Sequence, residues 1–115
     1  MKTIILTTIM LLTLNVFASG GHFHPKQVAK CAKACTETQI RNSVPSAITY
    51  LAKWDKITSL WSSAKIDSVG KKEFKKGREW VVTLVDSTIQ EAAKQKRYIF
   101  MSLDGYVTGS NSTGE

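Results

Sequence analysis

The sequence predicts an α+β fold, in which one or two N-terminal helices pack on a four-stranded antiparallel β-meander that follows a cleaved signal peptide. Three observations predict this fold. Apolar residues recur with helical spacing between Pro25 and Trp54, and from Ser62 onward they form runs typical of strands. Short turn-forming stretches separate those runs, which favours hairpins and therefore an antiparallel sheet. The chain has 115 residues, a length suited to one such domain.

Residues 1–18 have the organisation of an export signal. A basic residue near the start precedes a long apolar run, and small residues follow it. This order is typical of a secretory signal peptide. We expect cleavage after Ala18, with Gly20 as the alternative position. The predicted location is therefore periplasmic or secreted, in a bacterium.

The remaining chain is predicted to be a single domain over residues 26–110, between a flexible His-containing lead (19–25) and a polar tail (111–115). A second apolar run of roughly 18 residues is missing, so no transmembrane span is expected in the mature chain. Basic residues outnumber acidic ones by 16 to 9. This excess favours contact with a protein or an anionic envelope component, and an exported protein is not expected to bind nucleic acid.

Two helices are predicted before the sheet. Proline is favourable at a first helical position, and apolar residues then recur at helical spacing, so the first helix is expected from Pro25 to about Thr38. A break around Ser43–Pro45 is expected to begin the second helix, whose apolar stripe ends near Trp54.

Four strands are predicted in the second half of the chain. The first lies around Ala64–Val69, and the apolar runs Trp80–Val85 and Arg97–Leu103 are expected to be central strands. Asp104-Gly105 predicts a tight turn with positive φ at both central positions. An edge strand at Tyr106–Thr108 follows this turn.

Large side chains are the expected core of so small a domain, because aromatic residues bury the most area. Trp80, Tyr98 and Phe100 are therefore interpreted as core or cross-strand pairs, with a ligand groove as the alternative. The segment between helix and sheet is expected to be a buried connector through Ile57, Leu60 and Trp61.

A basic arm is predicted at the hairpin between the first two strands. An exposed cluster of this kind can dock an anionic surface, although such charges also serve solubility and protect strand edges from pairing. The candidate basic patch consists of Lys71, Lys72, Lys75, Lys76 and Arg78.

Cys31 and Cys35 are candidates for a disulfide. In a helix their Cβ atoms would lie about 5–6 Å apart, whereas a disulfide needs about 3.5–4.5 Å. A bond between them would therefore distort or end the predicted helix, and otherwise the thiols would stay reduced. Two thiolates at this spacing, together with His22 and His24 upstream, form a candidate four-ligand site for zinc or copper.

The stretch from Lys71 to Gly114 resembles a family of small, exported, uncharacterised bacterial proteins. The matching letters are Lys-Lys-x-Phe, Glu-Trp-Val-Val, Ala-Ala-Lys-Gln-x-x-Tyr-x-Phe-x-Ser-Leu-x-Gly and Asn-x-Thr-Gly. Members of that family also carry a His/Gly-rich stretch after the signal, as Gly20–His24 does here. The resemblance runs from the second helix to the end of the chain and leaves out Cys31 and Cys35. It implies an exported protein of this fold, without an assigned activity.

The order of a helical part followed by a meander is also similar to PepSY domains, small extracytoplasmic modules that are thought to bind or inhibit peptidases. Enzyme chemistry is not expected, because both histidines lie in the lead and the sequence has no nucleophile elbow, phosphate loop or HExxH motif. The predicted function is a non-catalytic, PepSY-like binding module of the periplasm. The alternative is a periplasmic metal-handling protein that binds copper or zinc through its N-terminal His and Cys residues.

Overall fold

The computed structural model describes residues 22–115, so the predicted signal peptide lies outside the described residues. One α-helix packs against a five-stranded antiparallel sheet, which confirms the α+β class. The elements are α1 (Glu37–Lys53), β1 (Lys26–Gln27), β2 (Lys65–Phe74), β3 (Gly77–Val85), β4 (Lys96–Met101) and β5 (Tyr106–Asn111), with 3₁₀ turns at Ser59–Ser63 and Ala92–Lys94. The strand order across the sheet is β1-β5-β4-β3-β2.

The predicted first helix, Pro25 to Thr38, is wrong. Its first residues form β1, which pairs with the start of β5 and adds a fifth strand to the four that were expected. The residues between β1 and α1 form a loop rather than a helix. The Cys35 N–H donates to the carbonyl of Leu103 across 2.8 Å, so the loop is bonded to the chain after β4. The predicted edge strand is consequently not at the edge, because β1 covers it.

Within the described residues, the helix α1 begins earlier than the predicted second helix. Thr36 caps it, since the Thr36 hydroxyl accepts from Gln39 N–H and the Gln39 side chain accepts from Thr36 N–H. This reciprocal capping box satisfies two main-chain donors at the start of the helix. Pro45, expected at the beginning, lies inside α1 on its exposed side. The buried stripe of α1 runs continuously through the expected break and consists of Ile40, Ser43, Val44, Ala47, Ile48 and Leu51.

The two central strands are confirmed and provide the sheet side of the core. Alternate residues of β3 and β4 face α1, and Val82, Ile99 and Met101 are fully buried there. Trp80 is 6% exposed and belongs to the same core, as predicted. The expected buried connector is confirmed at Ile57 and wrong at Leu60, which is 76% exposed.

The last hairpin turn lies at Ser102–Gly105, where Gly105 N–H donates to the carbonyl of Ser102 across 3.0 Å. Gly105 has φ +93°, but Asp104 does not have the positive φ that was expected of it. Within residues 22–115, no helix is long and apolar enough to cross a membrane.

Candidate functional site

The sheet face that points away from α1 carries an open cleft. Side chains alternate between the two faces of a strand, so Tyr98 and Phe100 face away from the helix while Ile99 and Met101 face it. The cleft has a volume of about 700 Å³. It is lined by Phe74, Lys75, Lys76, Glu79, Phe100, Thr108, Gly109, Ser110, Asn111 and Glu115.

The β2–β3 hairpin forms one wall of this cleft. Phe74, at the end of β2, meets Phe100 edge to face, with ring centroids 5.6 Å apart and an interplanar angle of 89°. Phe100 belongs to β4, so the tip of the hairpin leans across the sheet toward β5. The two turn residues, Lys75 and Lys76, are exposed on the rim. The cleft therefore combines an aromatic floor with a cationic rim.

The five residues of the candidate basic patch have different surroundings. Lys75 and Lys76 line the cleft and take part in none of the ion pairs formed within residues 22–115. Arg78 donates to Glu73 across 2.8 Å, so its charge is paired on the hairpin itself. Lys71 lies over the Trp80 ring, 4.9 Å from its centroid, and Lys72 donates to the carbonyl of Gly114 across 3.1 Å. Of the patch, Lys75 and Lys76 line the cleft, and Lys72 lies beside it, 5.5 Å from the centroid of the Phe74 ring.

A carboxylate on the same hairpin as the two rim lysines is held in place by hydrogen bonding. The Thr108 hydroxyl donates to Glu79 Oε1 across 3.1 Å and lies 3.2 Å from the carbonyl oxygen of Phe100. Because Glu79 is fixed by Thr108 and Glu115 also lines the cleft, the lining carries negative charge as well as the rim lysines.

The predicted polar tail folds back onto the same sheet face. Asn111 is the last residue of β5, and its side-chain oxygen accepts from the main-chain N–H groups of Thr113 and Gly114. Gly114 is buried against the Tyr98 ring, where an added Cβ atom would lie 3.2 Å from the nearest ring carbon. Tyr98 is thus covered by the chain, while Phe100 lines the cleft.

Cys31 and Cys35 form a disulfide, with their Cα atoms 5.2 Å apart. The bond does not distort a helix because this segment is a loop, and α1 begins only after Cys35. Cys35 is buried, and the loop is fastened to the β4–β5 turn through hydrogen bonds to Leu103 and Gly105. The bond is therefore part of the packed domain.

The candidate metal ligands are not assembled in this oxidised form. Both cysteine sulfurs are bonded to each other and supply no thiolate. Between His22 and Glu115, no group of three or more His, Cys, Asp or Glu side chains is close enough to hold a metal ion. A site that uses all four ligands requires reduction of the disulfide, and it stays a prediction for the reduced protein.

The described part of the predicted lead lies against α1. The Phe23 ring is 5.7 Å from Tyr50 and 6.1 Å from Trp54, centroid to centroid. The Tyr50 hydroxyl donates to the carbonyl of His24 across 2.7 Å, and the His24 ring meets Trp54 edge to face at 6.3 Å. These contacts hold the segment that enters β1.

Sequence reasoning did not identify Phe74, Thr108 or Gly109 as cleft residues. Phe74 stands next to the lysines of the arm, but nothing in the one-dimensional pattern shows that the hairpin leans over β4. Thr108 and Gly109 lie on β5 and reach the cleft only because β5 pairs with β4.

The chain has no match among curated proteins or among solved structures. A model of a family of unknown function, however, matches residues 1–115. The match extends beyond the expected stretch from the second predicted helix onward, and it includes Cys31 and Cys35. This protein therefore belongs to a family of unknown function (DUF6488), which confirms the predicted membership of an uncharacterised family.

Proposed function

We propose that this protein is a small, exported, non-catalytic binding module whose cleft takes an amphiphilic anion of the cell envelope. The observation that carries the proposal is the position of Lys75 and Lys76 on the rim above the contact between Phe74 and Phe100. A ligand with one apolar part and one anionic group matches both features at once.

The size of the cleft supports a ligand of this kind. Small-molecule sites commonly have volumes of about 300–1,000 Å³ and apolar linings with a few placed polar groups, and the cleft has about 700 Å³. Glu79 and Glu115 also line the cleft and would repel additional anionic groups, so the preferred ligand carries one anionic group. The excess of basic residues, a net charge of +7 with Lys2 of the predicted signal peptide included, favours the approach of such a molecule.

Two features support the exported location. Residues 1–18 have the order of a signal peptide. The Cys31–Cys35 disulfide is of the kind that persists in oxidising compartments. Production with export to a bacterial periplasm, followed by mass spectrometry of the denatured protein, tests the location. We expect a chain that begins at Ser19, and an uncleaved chain would contradict export.

The cleft can be tested with anilinonaphthalene sulfonate, a fluorescent aromatic anion. An added Cβ atom at Gly109 would have no heavy atom within 4 Å, so Gly109→Val is expected to fill the cleft without disturbing the sheet. Gly70 is equally open but lies outside the cleft lining, and Gly70→Val is the matched control. We expect Gly109→Val to lose the fluorescence enhancement and Gly70→Val to keep it.

The charged rim has its own matched pair of variants. Replacing both rim lysines by glutamine, Lys75→Gln with Lys76→Gln, should weaken binding of the probe by about tenfold, because two cation–anion contacts are lost. The control Lys30→Gln with Lys33→Gln removes the same charge from the exposed disulfide loop and should leave binding nearly unchanged. Equal losses in both double variants would show that only net charge matters and would contradict the cleft.

A further inference from the structure

A second cavity, of about 510 Å³, lies where the end of α1 meets the start of β4. Arg97 of β4 lines this cavity. Its side chain is on the same face of the sheet as Ile99, which is the face that packs against the helix. The other wall is the turn after α1, including Lys56 and Thr58. This cavity is on the opposite face of the sheet from the proposed ligand cleft.

Arg97 makes hydrogen bonds only to uncharged acceptors within residues 22–115. Its Nε donates to the Ser110 hydroxyl oxygen across 2.9 Å, and its Nη2 donates to the carbonyl of Lys56 across 2.6 Å. The ion pairs formed by the described residues are Arg41–Glu37, Arg78–Glu73 and Lys94–Glu91. The Arg97 guanidinium is thus fixed in position without a carboxylate partner.

The charge of Arg97 is also partly removed from water. Burial lowers the pKa of Arg97, because its cationic form loses hydration. The cavity lies at the C-terminal end of α1, where the helix dipole opposes binding of an anion, so the charge of Arg97 has to outweigh that effect. A guanidinium has five N–H donors in a planar fork, and its Nη1 donates to no described residue. An oxyanion in the cavity would supply the missing charge and acceptors.

We propose that this cavity binds a phosphate group through Arg97. The fork of arginine matches the oxygens of a phosphate, and the hydroxyl-bearing residues Thr58 and Ser59 also line the cavity. Asp55 lines it as well without pairing with Arg97, so its negative charge lowers the affinity for the anion. This proposal is independent of the function proposed for the cleft.

The phosphate can belong to a free anion or to a lipid headgroup. Leu60, in the turn that contributes Ser59 and Trp61 to the cavity wall, exposes 76% of its surface to solvent. An exposed leucine beside a phosphate site is what a lipid surface would contact, whereas a free phosphate would not need it. A variant at Leu60 therefore distinguishes the two sources, because it should weaken binding to a lipid surface and leave binding of free phosphate unchanged.

Titration of the folded protein with inorganic phosphate, followed by NMR, tests the site. We expect shifts at the Arg97 side-chain Nε–H and at the main-chain N–H groups of residues 56–59. Arg97→Lys keeps the charge but loses the fork, and it should weaken binding by about tenfold. Asp55→Asn should strengthen binding and provides a second test if Arg97→Lys affects folding. The control Arg41→Lys, at an exposed ion pair, should change nothing.

Vesicles of phosphatidylcholine with and without phosphatidylglycerol form the second arm. Binding only to the anionic vesicles, weakened by both Leu60→Ser and Arg97→Lys, would support the proposal and identify the source as a lipid headgroup. Binding of inorganic phosphate without vesicle binding would support it for a free anion. The proposal is overturned if neither phosphate nor anionic vesicles bind, or if binding is the same in Arg97→Lys and Asp55→Asn as in the original protein.

Discussion

The main chains of Ala29 and Gly105 touch, and a Cβ atom on Gly105 would lie 2.0 Å from the carbonyl oxygen of Ala29. The carbonyl of Gly105 accepts hydrogen bonds from the N–H groups of Val28 and Ala29, at 2.9 and 3.1 Å. This contact joins the disulfide loop to the β4–β5 turn. It depends on glycine for two reasons, the absence of a side chain and a φ of +93°.

Gly105→Ala should therefore destabilise the domain strongly. Left-handed backbone costs a residue with a Cβ atom about 1–2 kcal/mol, and the clash with Ala29 would add about 1–3 kcal/mol as for an overpacked site. Chemical denaturation measures the loss. Gly77→Ala is the control, since Gly77 has φ +132° but open space around an added Cβ atom. A loss at Gly105 no larger than at Gly77 would show that the contact with Ala29 yields easily.

Breaking the Cys31–Cys35 bond should lower stability moderately. The closed loop is short, so the chain-entropy contribution is about 2 kcal/mol. Thermal unfolding with and without a reductant measures it, and the double variant Cys31→Ser with Cys35→Ser should be unaffected by the reductant. A Tm that does not change when the original protein is reduced would mean that the hydrogen bonds to Leu103 and Gly105 hold the loop by themselves.

Trp80→Ala should lower the free energy of unfolding by about 3–5 kcal/mol, as for a large aromatic residue in a core. Trp80 is 6% exposed and packs in the core cluster between the sheet and α1. Leu60→Ala is the matched comparison, because an exposed apolar side chain away from the core should change stability by less than about 0.5 kcal/mol. Denaturant unfolding of both variants checks the contrast, and equal losses would contradict the burial of Trp80.

Metal binding by the predicted four ligands should depend on the oxidation state of the protein. In the oxidised form the sulfurs of Cys31 and Cys35 are not thiolates, so zinc or copper has only the imidazoles of His22 and His24. Native mass spectrometry after reduction should show one bound metal ion that His22→Ala with His24→Ala removes. Identical metal binding in the oxidised and reduced proteins would exclude the cysteines as ligands.

The apolar patterns of the central strands were sufficient to predict them. β3 and β4 carry continuous apolar runs, and most of the residues in these runs are buried. The prediction failed in the segment before α1, where the same apolar spacing is compatible with a helix and with a loop. The apolar residues from Val28 to Cys35 have the spacing of a helix face. In the structure this segment is a loop, because Lys26 and Gln27 before it pair with β5 and the Cys31–Cys35 disulfide closes it. These are long-range contacts, which periodicity does not record.

The candidate sites were likewise predictable only in the part that depends on local sequence. The basic residues of the hairpin and its exposure were predicted from the sequence, but the cleft needs Phe74 to reach Phe100 on another strand. Arg97 gave no sequence signal at all, because an isolated arginine in a strand is ordinary until its lack of a carboxylate partner is seen.

By itself, the sequence determined the fold class, the two central strands and membership of the family, and it left the disulfide and the metal site as alternatives for Cys31 and Cys35. Tertiary structure alone decided that Cys31 and Cys35 lie in a loop, that Pro45 lies within the helix, and that two lysines meet two phenylalanines at one cleft. The physical reason is that burial of an apolar run depends on its composition, which is local. Which residues share a cleft depends instead on strand pairing and on the lean of a hairpin, which arise only when distant parts of the chain pack together.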